Sequence, residues 1–424
     1  MCSNGDFFYL GLYMKVMKIL CLVLLFPGIS LYAVVDRVVA GSRLWDNNKR
    51  INDELSCDIL IYQTDIPYTV TASGNYCLAQ DVTIGAGDDG ITISANDVEL
   101  DLNGHRLDGA GSADNGVVLS VGADRITVKN GFVSGSSISG IQLLGNQNVV
   151  IDGLIISEGQ FTSRGIRLED CNYVSIKNCD VVKDFSTGID LLDSNELVVT
   201  KCHISNCTNG IQASEVQLVV DNCIMTNCSI GFTMPFTTGT GEDVVLRDCL
   251  VADSGIGFRL FNSDVFALRC IVKNSSSGFL TSTFTSNYTY VECQAIGNSQ
   301  QGFSSPSNNV VYKKCIAHDN GLNGFAVSGL AQNIHFLDCE SINNGSDGFS
   351  CSNTAVNILF KGCVARDNSG DCFETVASGK YMNNVSIDNG GLPFSPALTD
   401  ATKAISYSSA GVLAGANYWI NVID

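Results

Sequence analysis

Basic residues are scarce: 24 Lys and Arg stand against 43 Asp and Glu, a formal net charge of -19 with a pI near 4.4. Such a chain repels phosphate backbones and anionic headgroups, which excludes nucleic acid as a partner. Proline is scarce too, at 6 residues against 42 glycines, and only 16% of the chain is charged. The acidity therefore reflects missing bases rather than an acidic tail, and a disordered chain is a poor reading. Histidine is limited to His105, His203, His318 and His335, far apart in the chain, so a His-based site finds no support. Long apolar runs are missing as well: Ile19 to Phe26 falls short of the about 20 residues a bilayer span needs, and no second candidate follows it. No stretch of ten residues places apolar side chains at i, i+3, i+4 and i+7, which excludes the helical solenoids.

What is present begins with an export signal over residues 1–33. Lys15 and Lys18 precede the apolar run, Pro27 and Gly28 break it, and Ala33 ends a small-residue stretch that a signal peptidase could cut. Met14 or Met17 makes a better start for this signal than Met1. The remaining length exceeds the usual single-core domain, so two domains or one elongated repeat is expected.

The repeat is a glycine followed by an apolar residue. It recurs at Gly90, Gly116, Gly140, Gly165, Gly188, Gly210, Gly231, Gly257, Gly278, Gly302, Gly324 and Gly348, at intervals of 21 to 26 residues. A second marker, Cys179, Cys202, Cys223, Cys249, Cys270, Cys293, Cys315, Cys339 and Cys363, recurs at the same intervals. Each of these cysteines follows a two-residue alternation such as Val174-Ser175-Ile176 and opens another short apolar segment. One unit therefore holds three short strands and three turns. The expected fold is all-β: a single-stranded right-handed parallel β-helix of three-strand coils over residues 66–390. The segments 34–65 and 391–424 are expected to cap its open ends, with Ser42 to Leu55 suited to a short helix and Lys403 to Asp424 breaking the period.

Residues at one offset in successive coils should stack. Ile141, Ile166, Ile189 and Ile211 give way to Phe232, Phe258, Phe279, Phe303, Phe325, Phe349 and Phe373 in one interior column. The repeated cysteines fit a tight inward corner as small, nearly apolar side chains, and parallel strands point their Cβ vectors the same way, against disulfides between coils. Cys57 and Cys77 precede this column and could pair. Asn206, Asn227, Asp253, Asn274, Asn298, Asn320, Asn344 and Asn368 are expected to form one turn column. The Cys-x4-Cys spacing at Cys202/Cys207 and Cys223/Cys228 is a weak metal signal without convergent His.

These columns, together with Val98-Glu-Leu-Asp-Leu-Asn-Gly-His-Arg-Leu-Asp-Gly109 in an early coil, resemble the large family of right-handed parallel β-helix repeat proteins. That family includes pectin-degrading enzymes, NosD-like periplasmic proteins and many surface proteins. The resemblance implies the fold and leaves the activity open. The phrases Gly-His-Gly and Arg-x-Lys of polygalacturonase-like hydrolases are absent, and the few His and Met do not favour NosD-like copper binding.

One constellation stands out from the register. Asp170, Asp193 and Glu215 each lie five residues after their glycine, so three carboxylates should stack about 4.8 Å apart. Arg167 and Asp190, each two after its glycine, should point outward beside them. Stacked carboxylates call in a proton or a cation such as Ca²⁺, and their spacing suits glycosidase pairs. Asp170, Asp193, Glu215 and Arg167 are therefore the catalytic candidates, and Asp190 and Arg167 the ligand-binding ones. Asp and Asn are also ordinary turn formers, and that reading leads. The expectation is an exported, extracellular, surface or periplasmic scaffold that binds or displays, without a cofactor and with a polysaccharide or cell-surface glycan as partner. A polysaccharide lyase, epimerase or hydrolase and a purely structural spacer are the alternatives.

Overall fold

The computed structural model describes residues 57–395 apart from 236–242, 262–263, 282–286, 353, 375–378 and 393. The expected signal, the candidate capping helix at 42–55 and the segment 403–424 lie outside the described residues. Parallel strands pair one coil with the next, beginning at Ile59–Ile61 and ending at Phe394–Ser395. Stacking thus starts within the expected 34–65 segment and runs into the expected 391–424 segment. Among the described residues the one helical element is a short 3-10 turn, Gln63–Asp65, and no helix is long and apolar enough to cross a membrane.

The coil that follows Ser163 shows the plan. Its strands are Arg164–Glu169, Asn172–Lys177 and Asp180–Val182, and each pairs with its counterpart one coil on. They belong to three faces, here called the glycine sheet, the middle sheet and the cysteine sheet. Alternation puts Ile166 and Leu168 in the core and Arg167 on the outside.

The glycine column is explained by close approach rather than by backbone conformation. A Cβ on Gly165 would lie 2.5 Å from the Gly188 carbonyl oxygen, and one on Gly188 would lie 2.7 Å from that of Gly210. Only hydrogen fits there, so the glycine repeats in every coil from Gly90 to Gly348.

The interior column is in register from Ile141 through Ile166, Ile189, Ile211 and Phe232 to Phe373. Phe303 and Phe325 stack at 4.8 Å between centroids and 5° between planes. A second column, Tyr290, Tyr312, Phe336, Phe360 and Tyr381, stands edge-on to the first, as in the 79° contact of Phe325 with Phe336. Stacking along the columns and edge contacts between them are the two favourable aromatic geometries.

The single asparagine column divides in two. Asn206, Asn227, Asp253 and Asn274 occupy left-handed turn positions with φ of 57°, 53°, 52° and 52°. Their column continues as Gly297, Asp319, Asn343 and Asp367. Asn298, Asn320, Asn344 and Asn368 lie one residue later and are buried. The Nδ2 of Asn320 donates to Asn344 Oδ1 at 2.9 Å, and the same oxygen accepts the backbone N–H of Asn320 at 3.0 Å. In earlier coils Cys207, Cys228, Ser254 and Ser275 fill this inner position: the Ser254 hydroxyl accepts from Cys228 N, and Asn298 Oδ1 accepts from Ser275 N. The Cys-x4-Cys spacing is therefore two separate columns.

Cys57 and Cys77 form a disulfide with Cα atoms 5.8 Å apart. Fourteen other cysteines, from Cys171 to Cys372, are buried and free. Burial pushes the thiols of Cys339, Cys351 and Cys363 up, and Cys372 up to about 12. Titration of a denatured, unreduced chain beginning at residue 34 should find these fourteen thiols, and the native chain should react at few of them. Widespread disulfides would contradict the register. Because the folded thiols of Cys339, Cys351, Cys363 and Cys372 bind protons more tightly than unfolded ones, their contribution is intact below the ordinary value of 9.0 and is lost progressively as pH rises from there through their raised folded values. Denaturant midpoints should fall on the alkaline side of 9.0, and less in a Cys351→Ala/Cys372→Ala chain.

Candidate functional site

Two columns share the outside of the glycine sheet. Two residues after each glycine stand Gln142, Arg167, Asp190 and Gln212, in register across four coils. One residue before each glycine stand Asn115, Ser139, Arg164, Thr187 and Asn209, also in register. Asn209 Nδ2 donates to Gln212 Oε1 at 3.0 Å within a coil, and Arg164 Nε donates to Asp190 Oδ2 at 2.6 Å between coils.

Asp190 is the unusual member. It faces away from the core yet is only 1% exposed, because Arg164 and Arg167 of the preceding coil cover it. Burial raises its carboxyl above the ordinary range, the two guanidiniums pull it back, and Glu169 adds to the rise. Arg167 in turn donates to Glu169 Oε2 at 2.7 Å. Asp190 Oδ1 and Arg167 Nε are buried and have no hydrogen-bond partner in the chain. Further along the same face, Asn115 Oδ1 and Ser139 Oγ are also buried and unpartnered. An unpaired buried polar atom costs about 1–3 kcal/mol, so a run of them is a place where the fold leaves bonding capacity for something else.

The expected carboxylate stack forms, in a different setting. Glu169, Leu192 and Ser214 pair in register, so Asp170, Asp193 and Glu215 follow one another in the next position. All three are exposed, with left-handed φ of 56°, 46° and 56°. They form the turn that ends the glycine strand. The structure does bring Arg167 and Asp190 together as register partners. Residues that the spacing argument missed are Arg164, Glu169, Ser139 and Asn115. Their signal was available: the residue before the glycine is polar in six successive units, Asp89, Asn115, Ser139, Arg164, Thr187 and Asn209, before Ile230 and Ile256 replace it.

Gln160 Nε2 donates to the Gly111 carbonyl at 2.6 Å, so the segment after Ser157 is tied to the excursion that precedes Gly116 and rims this end of the face. The long unit between Gly231 and Gly257 includes 236–242, outside the described residues. Toward the last coils the same columns carry Asp347, Asp371 and Glu374. Among the described residues, no three His, Cys, Asp or Glu side chains converge as a metal site.

The model of the right handed beta helix region matches residues 69–234, 139–294 and 236–392. Among solved structures, the chain is similar to tailspike protein 3 of bacteriophage CBA120 at 15% identity and TM-score 0.42, covering 80% of this chain and 60% of that one. It thus spans 60% of the length of that tailspike. It is also similar to the receptor-binding protein of bacteriophage Det7 (10%, TM-score 0.45, covering 85% and 80%). A third is the exopolygalacturonase of Thermotoga maritima (9%, TM-score 0.43, covering 79% and 92%). No curated protein matches the chain.

Because the folded carboxyl of Asp190 is raised, its charged form is a net cost to folding once pH exceeds that raised value. Arg164 is one-third exposed and stays hydrated without its partner. Asp190→Asn should therefore melt at or above the parent temperature at neutral pH. A fall of more than about 3 °C would mark the ion pair as structural instead.

Proposed function

The chain belongs to the right-handed β-helix family, and on that premise we propose that it is an exported scaffold that binds a polysaccharide along the outside of its glycine sheet. The carrying observation is the pair of buried, unpartnered atoms Asp190 Oδ1 and Arg167 Nε on that outward face. A ligand rich in hydroxyls that moved the partly exposed Arg164 and Arg167 side chains aside would reach these atoms and complete their bonding without disturbing the core. Successive coils repeat at about 4.8 Å, so an extended polymer lying along the stack meets comparable side chains at regular steps. Export rests on Lys15, Lys18, the run from Ile19 to Phe26 and Ala33.

One observation favours catalysis as a second reading. Asp190, raised by burial, lies near a Glu169 that is held by Arg167, and two carboxylates in unlike surroundings are what an acid and a base require. The short coils from Gly165 to Gly231 leave the binding reading ahead.

Retention of the mature chain on a panel of polysaccharides, with a parallel assay for new reducing and unsaturated ends, separates the readings. It should be run with and without Ca²⁺. Binding without new ends is expected. Asp190→Ala should weaken it at least about tenfold, and the turn variant Asp193→Ala should leave it unchanged. Chain cleavage lost in Asp190→Ala would replace the scaffold with an enzyme, and silence on the whole panel would leave a structural spacer.

A further inference from the structure

Resting on the binding reading above, the pattern of satisfied and unsatisfied groups narrows the ligand class. Both cations of the site are already committed to carboxylates of the chain itself: Arg164 to Asp190 at 2.6 Å and Arg167 to Glu169 at 2.7 Å. Each guanidinium spends one nitrogen on that partner and has its charge balanced by it, so a carboxylate from outside meets no uncompensated positive charge at Arg164 or Arg167. Besides Ser136 Oγ and Tyr290 Oη, the buried side-chain atoms left without partners among the described residues are Asn115 Oδ1, Ser139 Oγ, Asp190 Oδ1 and Arg167 Nε. Two of these can only accept, one can accept or donate, and a single one can only donate.

These groups form one track. Asn115 pairs in register with Ser139, Ser139 with Arg164, and Arg164 reaches the next coil to hold Asp190. The track therefore crosses the coils of Gly116, Gly140, Gly165 and Gly188, a span of roughly 14 Å at about 4.8 Å per step. Beyond Asp190 it continues in the uncharged amides Asn209 and Gln212, before Asn115 it meets the carboxylate of Asp89, which accepts from Asn115 Nδ2 at 2.8 Å, and the far coils of the same face carry the carboxylates Asp347, Asp371 and Glu374. Arg259, three coils beyond Asp190 in the same column, is turned over the Phe261 ring at 5.4 Å and donates to Thr233 Oγ1.

We infer that the track from Asn115 to Asp190 takes an uncharged, hydroxyl-rich polysaccharide and discriminates against uronate polymers. Sugar hydroxyls supply the donors that Asn115 Oδ1 and Asp190 Oδ1 lack, and a hydroxyl oxygen can accept from Arg167 Nε. A uronate carboxylate would bring only acceptors to a surface that already has too many. It would also lie against Asp190, whose negative charge burial and Glu169 already disfavour. Discrimination of this kind comes from the unfavourable pairing as much as from the favourable one.

The inference also specifies how selectivity can be reversed. Asp190→Asn removes the carboxylate that occupies Arg164, leaving its guanidinium free at the centre of the track. The test is retention of the mature parent and Asp190→Asn chains on immobilised neutral glucans, mannans and galactans against polygalacturonate and alginate of matched length, at low and high salt. Thermal melts confirm that both chains are folded. The parent should prefer at least one neutral polymer by about tenfold over both uronates. Asp190→Asn should lose that preference and gain salt-sensitive uronate retention. A parent that holds a uronate polymer as tightly as any neutral one would overturn the inference while leaving the binding reading intact. A variant with unchanged selectivity would also overturn it, and a parent that holds neither class removes the binding reading itself.

Discussion

Each coil is hydrogen-bonded in parallel register to the one before it, so nearly every side chain must be compatible with its own counterpart about 4.8 Å away. Side chains that gain from self-stacking are selected by this rule: Phe on Phe at 4.8 Å, and Asn on Asn at 2.9 Å through amide hydrogen bonds. Opposite charges also pair from coil to coil, as Asp221 with Arg247 and Asp248 with Arg269, whereas the like charges Asp170, Asp193 and Glu215 stack on an exposed turn. Where the backbone itself is the neighbour, as between Gly165 and the Gly188 carbonyl, even a methyl group is refused.

Asp190 departs from this rule and is the centre of the site for that reason. Its register neighbours are Arg167 on one side and Gln212 on the other, and it takes its ion pair diagonally from Arg164. The result is a carboxylate packed under two guanidiniums with one oxygen unused. Fold stability gains little from such an arrangement, because a buried charge gives back much of its pairing energy in lost hydration. A surface that retains it while surrounding it with other unpaired polar atoms is better suited to receive a ligand than to hold coils together.

The columns were legible where one residue type persists. Ile141 to Phe349 could be aligned by the glycine alone, Phe373 follows Cys372 at the same period, and all of those residues pair as expected. The asparagines were not, because coil lengths vary and a one-residue slip passes unnoticed: Gly297 takes the left-handed position just as Asn298 takes the buried one. The second aromatic column was hidden for another reason. Its early members are Val220, Leu246 and Ala267, so the change at Tyr290 looks like ordinary alternation until the register is known. At the site, spacing placed Arg167 beside Asp190 and stacked Asp170, Asp193 and Glu215. Spacing does not reveal that the stack is an exposed turn, or that Arg164 closes over Asp190 from the preceding coil, since the first depends on left-handed backbone and the second on a diagonal contact between coils.

The most direct test of the account is a crystal structure of the mature chain with an oligosaccharide from the polymer it retains. The account predicts sugar hydroxyls within hydrogen-bond distance of Asp190 Oδ1 and Arg167 Nε, with the chain of sugar units running toward Ser139 and Asn115. Sugar bound on the middle or cysteine sheet, with ordered water alone at Asp190, would contradict it.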